Sequence, residues 1–270
     1  MRVDVAALVT SLVAETQQVS AHGISIEMIE RQAKSIGLPL LRVPLPNGPS
    51  NDVYLRAFSD ALEPLRTEGV ATVAFGDIFL EDLRLWRERS FREIGFESIF
   101  PLWGESTSAL AGEFFDRGFC AVVCAVNGAF LERDHLARLY DRLFVQRLPE
   151  RVDCCGENGE FHTFTFEGPI FGEPVRYAAG TTTYKPVMHG SPVSGHWFLE
   201  LKPASESPGA CPLCGSENQC AVVAGASLCW CYTERIPQTV RDRIPPYARD
   251  VACVCPRCAL SAVESSAELK

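Results

Sequence analysis

Apolar positions along the first half of the chain follow two alternating periods. Val3 to Thr10 ("VDVAALVT") is a short, mostly apolar run of the kind a buried parallel strand shows. Ile26, Ile29, Ala33 and Ile36 then keep helical spacing, with Ser25 placed to cap the helix and Gly37 and Pro39 to stop it. "PLLRVPL" reads as a second strand. Leu55, Phe58, Leu62 and Leu65 mark a second helix that Pro64 kinks and Gly69 ends. Val70 to Asp77 ("VATVAFGD") predicts a third buried strand closing on Gly76-Asp77, and the helix after it carries Arg84 and Glu88 at i,i+4. "ESIFPLW" gives a fourth strand, Thr107 to Phe115 a helix, and "CAVVCAV" (Cys120 to Val126) a fifth strand. Such alternation predicts an α/β fold with a doubly wound, mainly parallel sheet, whose ligands lie beyond the carboxyl ends of the strands. Asp77 and Trp103 fall at such ends.

After about residue 130 the pattern changes to one helix through Leu136, Leu139 and Leu143, then strand-like runs "FHTFTF" and "GHWFLEL". These predict a second α+β lobe closing over the sheet edge. The expected organisation is an α/β lobe over 1–128, a second lobe over 129–201, a linker over 202–210 ("KPASESPGA" from Lys202) and a cysteine-rich module over 211–260.

Composition narrows the function classes. A chain of 270 residues with 47% hydrophobic and 22% charged residues is that of a folded protein. Its net charge of -9 argues against broad binding to nucleic acid or anionic membranes, which needs clustered Lys and Arg. Asp4 interrupts the apolar start, no cleavage context follows, and no run approaches a membrane span. The expected location is the cytoplasm, where twelve cysteines serve as core residues, metal ligands or redox groups rather than disulfides.

The stretch "DCCGENGEFHTF", Asp153 to Phe164, places two glutamates between a cysteine pair and an alternating apolar run. By composition it is a solvated turn before a strand. Together with "VAFGDIFLEDLRLWRERSFREIGFESIFPLWGESTSALAGEFFDRGF", however, "CGENGEFHTFTFEGPIF" resembles the diphthine-ammonia ligase family, of the PP-loop ATP pyrophosphatase (adenine nucleotide alpha hydrolase-like) superfamily, over about residues 3 to 200. The resemblance implies a Rossmann-like nucleotide fold and ATP-dependent amide synthesis with Mg²⁺. A substrate carboxylate is adenylated, pyrophosphate leaves, and ammonia displaces AMP.

The resemblance also implies roles. Glu157 and Glu160 become candidate catalytic residues, binding a cationic group or taking a proton from ammonium. Gly156, Asn158, Gly159, Phe161, His162 and Thr163 become substrate-binding candidates, and His22, Gly23, Gly76 and Asp77 nucleotide-binding candidates. The family's named substrate carries a trimethylammonium group, which carboxylates beside Phe161 and Phe164 suit; in a bacterial chain the substrate must differ. Cys154 stands where the family has Pro, Cys155 matches and can equally be a buried structural thiol, and Cys120 and Cys124 read as core. Asp134, His135, His189 and His196 fit no pattern and are taken as surface or core.

One part of the family pattern is missing: nothing in the sequence matches the Ser-Gly-Gly-Lys-Asp-Ser loop, or the strand before it, that would cradle the phosphates. The expectation is either a start codon assigned too far downstream or a chain that has lost ATP chemistry and serves as an interaction protein.

The tail holds eight cysteines between Cys211 and Cys258 and resembles the small cysteine-rich CWC family through Cys229, Trp230 and Cys231. The two C-x2-C pairs, Cys211 with Cys214 and Cys255 with Cys258, have the spacing that lets thiolates grip one tetrahedral ion. Cys220, Cys229, Cys231 and Cys253 can complete a second site. Two Zn²⁺ ions are expected, with disulfides as the rival; so short a module takes much of its folding energy from metal and is a candidate for recruiting a protein partner.

Overall fold

The computed structural model describes residues 4–19, 22–186 and 195–264. Strand β1 (Leu8–Val13) pairs in parallel with β2 (Leu40–Leu45), and α1 (Ile26–Ile36) crosses between them. After α2 (Asn51–Thr67), the short strand β3 (Thr72–Ala74) pairs in parallel with β4 (Glu97–Ile99) across α3 (Glu81–Glu93). One apolar cluster serves both pairs: Val43, Leu45, Phe58, Leu62, Phe91 and Phe96 are buried together, with Val9 and Val73 packed on them.

The second region is built on a longer sheet. Helix α4 (Thr107–Asp116) leads into β5 (Cys120–Asn127), which pairs antiparallel with β6 (Leu139–Tyr140), β7 (Phe161–Glu167) and β9 (Gly195–Pro203); β8 (Tyr177–Pro186) completes the sheet against β9. Helix α5 (Arg142–Gln146) lies between β6 and β7. Ala121 to Val126 are each at most 1% exposed, which makes β5 the centre of the main core. Helix α1 joins the regions: Met28 is buried in that same core, and Gln32 Nε2 donates to the Thr165 carbonyl at 2.6 Å.

The fold is mixed α/β with small sheets rather than one doubly wound parallel sheet. Among the described residues no ladder links β1 to β3, so the parallel strands stand as two separate pairs. Strand β5 is the clearest correction, since it was expected as the fifth parallel strand and is the middle of the antiparallel sheet. A continuous apolar run reports burial on both faces, and says nothing of the neighbours' direction.

The helix expected through Leu136, Leu139 and Leu143 is also absent. Ala137 takes a positive φ of 59°, Leu139 lies on β6, and Leu143 is in α5. The first strand is shifted to Leu8–Val13, because Leu12 supplies its buried anchor at 2% exposure; Val3 lies outside the described residues. Ser25 sits at the start of α1 without a side-chain capping bond.

The cysteine-rich segment is loops, with α6 (Gln238–Arg241) and α7 (Pro256–Glu264), around a small core of Cys211, Leu213, Val240, Val254, Cys255 and Ala259. No helix of the described residues is long and apolar enough to cross a membrane.

Candidate functional site

The loop from Asp153 to Glu160 is folded by two carboxylates. Asp153 Oδ2 accepts from the amides of Cys155 (2.9 Å) and Glu157 (3.1 Å), and a turn closes with Gly156 N–H on the Asp153 carbonyl at 3.0 Å. Glu160, 1% exposed, accepts from the Asp153 amide (3.0 Å), the Asn158 amide (3.1 Å) and Asn158 Nδ2 (3.1 Å). Gly156 has φ +70°, and a Cβ there would meet the Phe161 carbonyl at 2.6 Å, so only glycine fits. The Glu160 carboxylate is thus taken up by Asn158 and the Asp153 amide.

Glu157 does something different. Its carboxylate leaves the loop and accepts the Ile78 amide at 2.7 Å, just beyond the end of β3. Burial raises its pKa; the Ile78 and Phe79 amides oppose this, and nearby Asp77 and Asp153 add to it. A carboxyl shifted upward in this way is a better proton acceptor near neutral pH than an ordinary one. Asp77 itself is held by Arg87 at 2.9 Å, and the Arg87 guanidinium stacks on Phe75, 4.4 Å from its ring centre. Gly76 has open space around it.

Beside this junction lies a cleft of about 490 Å³ lined mainly by apolar and aromatic groups, among them Ile78, Phe114, Phe119, Tyr140 and Phe161. Thr163 faces it as well, and Glu113 of α4 forms an ion pair at its rim with Arg117, just past the helix end. Cys155 borders the cleft, but its thiol donates to the Thr107 carbonyl at 3.2 Å and burial pushes its pKa up to about 12, as befits a structural thiol. Tyr140 O–H donates to the Cys154 carbonyl at 2.8 Å. Phe164 is buried against Tyr177 and stands apart from the cleft.

His162 points to the other face of β7, where its ring centre is 4.6 Å from that of His22. Burial, with His22 and His196 nearby, lowers the His162 pKa to about 4, and burial lowers that of His22. Gly23 follows at φ +66° with Phe198 so close that a Cβ would lie 2.6 Å from its ring. His22 and His162 therefore pack together, both drawn toward the neutral form by burial, where α1 meets the five-stranded sheet.

Sequence reasoning missed Arg87 and Asp153 as parts of the site, and it took His196, which lies beside His162, as surface or core. Only Asp153 had a local signal, an Asp ahead of a turn; the other two act through partners distant in the chain. Cys124 is buried, donating to the His162 carbonyl, and Cys120 is half-buried. Asp134 pairs with Arg138 and His135 at the surface, and His189 lies outside the described residues.

In the tail, the ligand sulfurs of Cys211, Cys214, Cys255 and Cys258 all lie within 4.8 Å of one another. The 3.7 Å between Cys214 and Cys255 is close to the roughly 3.8 Å edge of a tetrahedron with Zn–S bonds near 2.3 Å, so the four thiols fit zinc. The Cys258 thiol, donating to Cys211, is the main cause that lowers the Cys211 pKa to about 4. Cys220, Cys229, Cys231 and Cys253 also neighbour one another, with the Cys231 amide drawing Cys229 down to about 7. Among the described residues only the first four come together as one ligand set.

Comparison with known proteins follows this division. Residues 1–98 match the family model described as diphthamide synthase N-terminal domain, residues 106–186 the diphthamide synthase C-terminal domain, and residues 211–260 the cysteine-rich CWC model. Curated relatives include the diphthine–ammonia ligases of Bos taurus and Homo sapiens, each 26% identical over 201 residues, covering 68% of this chain and 73% of theirs. That of Danio rerio is 25% identical over 168 residues, 55% of this chain and 64% of its own.

Proposed function

The chain belongs to the diphthamide synthase family and ends in a cysteine-rich CWC domain, and from that premise we propose that it is an ATP-dependent, amide-forming ligase whose reaction centre lies at the Glu157–Ile78 junction. A substrate carboxylate oxygen bonds to the α-phosphorus of ATP as pyrophosphate leaves. Ammonia then attacks the acyl carbon, and AMP departs with that oxygen. Activation is required because a carboxylate repels nucleophiles and has no good leaving group. Glu157 takes the proton that nitrogen must lose, while Glu160 and Asp153 position it by shaping the loop. The neighbouring cleft holds the apolar body of the carboxylate substrate, with Phe161 and Thr163 in its wall. His22, Gly23, Gly76 and Asp77 support the nucleotide side, Asp77 through Arg87. The first four tail cysteines hold one Zn²⁺, and Cys220, Cys229, Cys231 and Cys253 a second; a cytoplasmic setting belongs to the same reading.

The observation that carries the proposal is the 2.7 Å bond from the Ile78 amide to Glu157, which brings the motif's free carboxylate to a strand end of the parallel region. ATP–pyrophosphate exchange tests it, with ammonium and candidate carboxylates added. Glu157→Gln should lower amide formation at least about a hundredfold while changing stability by less than about 1 kcal/mol. Equal activity in the variant would defeat the role.

A second reading has its own support. Residues 1–270 contain no Ser-Gly-Gly-Lys-Asp-Ser loop, and β1 and β3 share a core without sharing a ladder. A binding protein without ATP chemistry fits those facts. In-frame coding sequence for such a loop upstream of Met1, with exchange activity in the extended chain, would favour the ligase; no exchange in either form favours the binding protein.

A further inference from the structure

The cysteine-rich module meets the body of the protein along the outer edge of β8. In an antiparallel ladder alternate residues turn their backbone groups outward, and at an edge strand these are left for water or another chain. Both outward amides at the start of β8 are taken by the tail: Ala179 N–H donates to the Leu213 carbonyl at 2.8 Å, and Tyr177 N–H to the Tyr247 hydroxyl at 3.1 Å. The Tyr247 hydroxyl in turn donates to the Tyr177 carbonyl at 3.3 Å. The Tyr247 ring packs edge-on to Phe166 and Tyr177, with the Arg176 guanidinium over it at 5.2 Å. Gly215 comes so close to Ala178 that a Cβ there would lie 2.9 Å from the Ala178 methyl.

The first anchor belongs to the four-cysteine centre itself, and the second is tied to it through the chain. Leu213 lies inside the Cys211–Cys214 knuckle, and Gly215 follows it. Tyr247 lies in the segment that connects the two halves of the tail, three residues after Ile244 of its small core, and its ring packs on the main core. Two of the six buried residues of that core are the candidate ligands Cys211 and Cys255. So small a core cannot hold the loops by apolar burial alone, and the knuckle carbonyl can stay aimed at Ala179 only while the four sulfurs are tied.

We infer that the cysteine-rich module is a metal-set latch on the β8 edge of the five-stranded sheet, an intramolecular partner that replaces a missing neighbouring strand only while Cys211, Cys214, Cys255 and Cys258 hold an ion. This rests on the reading that those thiols bind metal. Loss of the ion to a chelator releases Leu213 and Tyr247 and opens the edge.

The test is amide hydrogen exchange, resolved by residue, on the full chain loaded with Zn²⁺ and again after chelation, with metal content measured in both states. Chelation should speed exchange at Tyr177 and Ala179 by at least about tenfold while amides inside β5 keep their protection. A double variant, Cys214→Ser with Cys255→Ser, should show the same loss without chelator. Tyr247→Phe, which keeps the ring and the cysteines, should expose Tyr177 alone and leave Ala179 protected. A chain that demonstrably binds and then loses zinc with no change at Tyr177 and Ala179 overturns the latch. A chain that takes up no metal overturns the reading beneath it, which the metal measurement reveals separately.

Discussion

The two sheet regions differ in what holds their middle. In the five-stranded sheet β5 has partners on both sides and six consecutive residues at most 1% exposed. Among the described residues of the parallel region, β1 forms a ladder only with β2 and β3 only with β4, and β1 has one buried residue, Leu12. A parallel strand is ordinarily covered on both faces and paired on both edges. The first region therefore depends on α2 and α3, whose Phe58, Leu62 and Phe91 bind the pairs from the side. The proposed site joins these unequal halves, with the motif loop supplied by the continuous sheet and the Ile78 amide by the interrupted one.

The sharpest break between the halves comes from deleting one fully buried ring in each. Phe166→Ala and Phe91→Ala should each cost about 3–5 kcal/mol, since both side chains are 0% exposed. Phe166→Ala should lower the unfolding of the whole chain. Phe91→Ala should instead melt the parallel pairs in an earlier transition, leaving β5 protected from exchange. Calorimetry with hydrogen exchange separates these outcomes, and a single shared transition in both variants would show the halves to be one cooperative unit.

A smaller effect concerns the histidines where α1 meets the sheet. Lowering the folded pKa of His162 to about 4 leaves the unfolded chain binding more protons between that pH and roughly 6.5. The associated stability is complete above about pH 6.5 and is lost as pH falls toward 4. His22 adds in the same direction. Denaturant titrations should show a decline of about 2–3 kcal/mol over that range, and His162→Asn should flatten it.

Smallest in stability, but most specific, is the contrast between the two glutamates of the motif. Glu160→Gln puts an NH₂ group among the Asp153 and Asn158 donors and should cost about 1–3 kcal/mol by urea unfolding. Glu157→Gln keeps a side-chain oxygen that can still accept the Ile78 amide, so its stability should hardly move. Equal losses in the two variants would remove the distinction between the shaping carboxylate and the reactive one.

Much of this division was legible residue by residue. The helices at Ile26, Asn51 and Thr107 follow the apolar spacing that predicts them, and the C-x2-C pairs do converge on one ligand set. The motif "GENGEF" was legible as a place but not as an arrangement. Glu157 and Glu160 have the same chemistry and lie three positions apart; only the fold buries one beneath Asn158 and sends the other to Ile78. Arg87 had no local signal, because its partner Asp77 becomes near only when α3 packs back on β3.

The sequence by itself determined which segments are apolar enough to be buried, where the helices run, which cysteines are spaced to share an ion, and the family resemblance carried by Gly156 to Thr163. Those properties depend on side-chain type and local period, which every stretch of chain carries with it. The tertiary structure decided the direction and partners of β5, the separation of the parallel pairs, the different fates of the two motif glutamates, and the seating of Leu213 and Tyr247 on β8. Backbone hydrogen bonding is the physical reason: an extended segment offers the same donors and acceptors along either edge, and only the assembled neighbours settle which are satisfied and by whom.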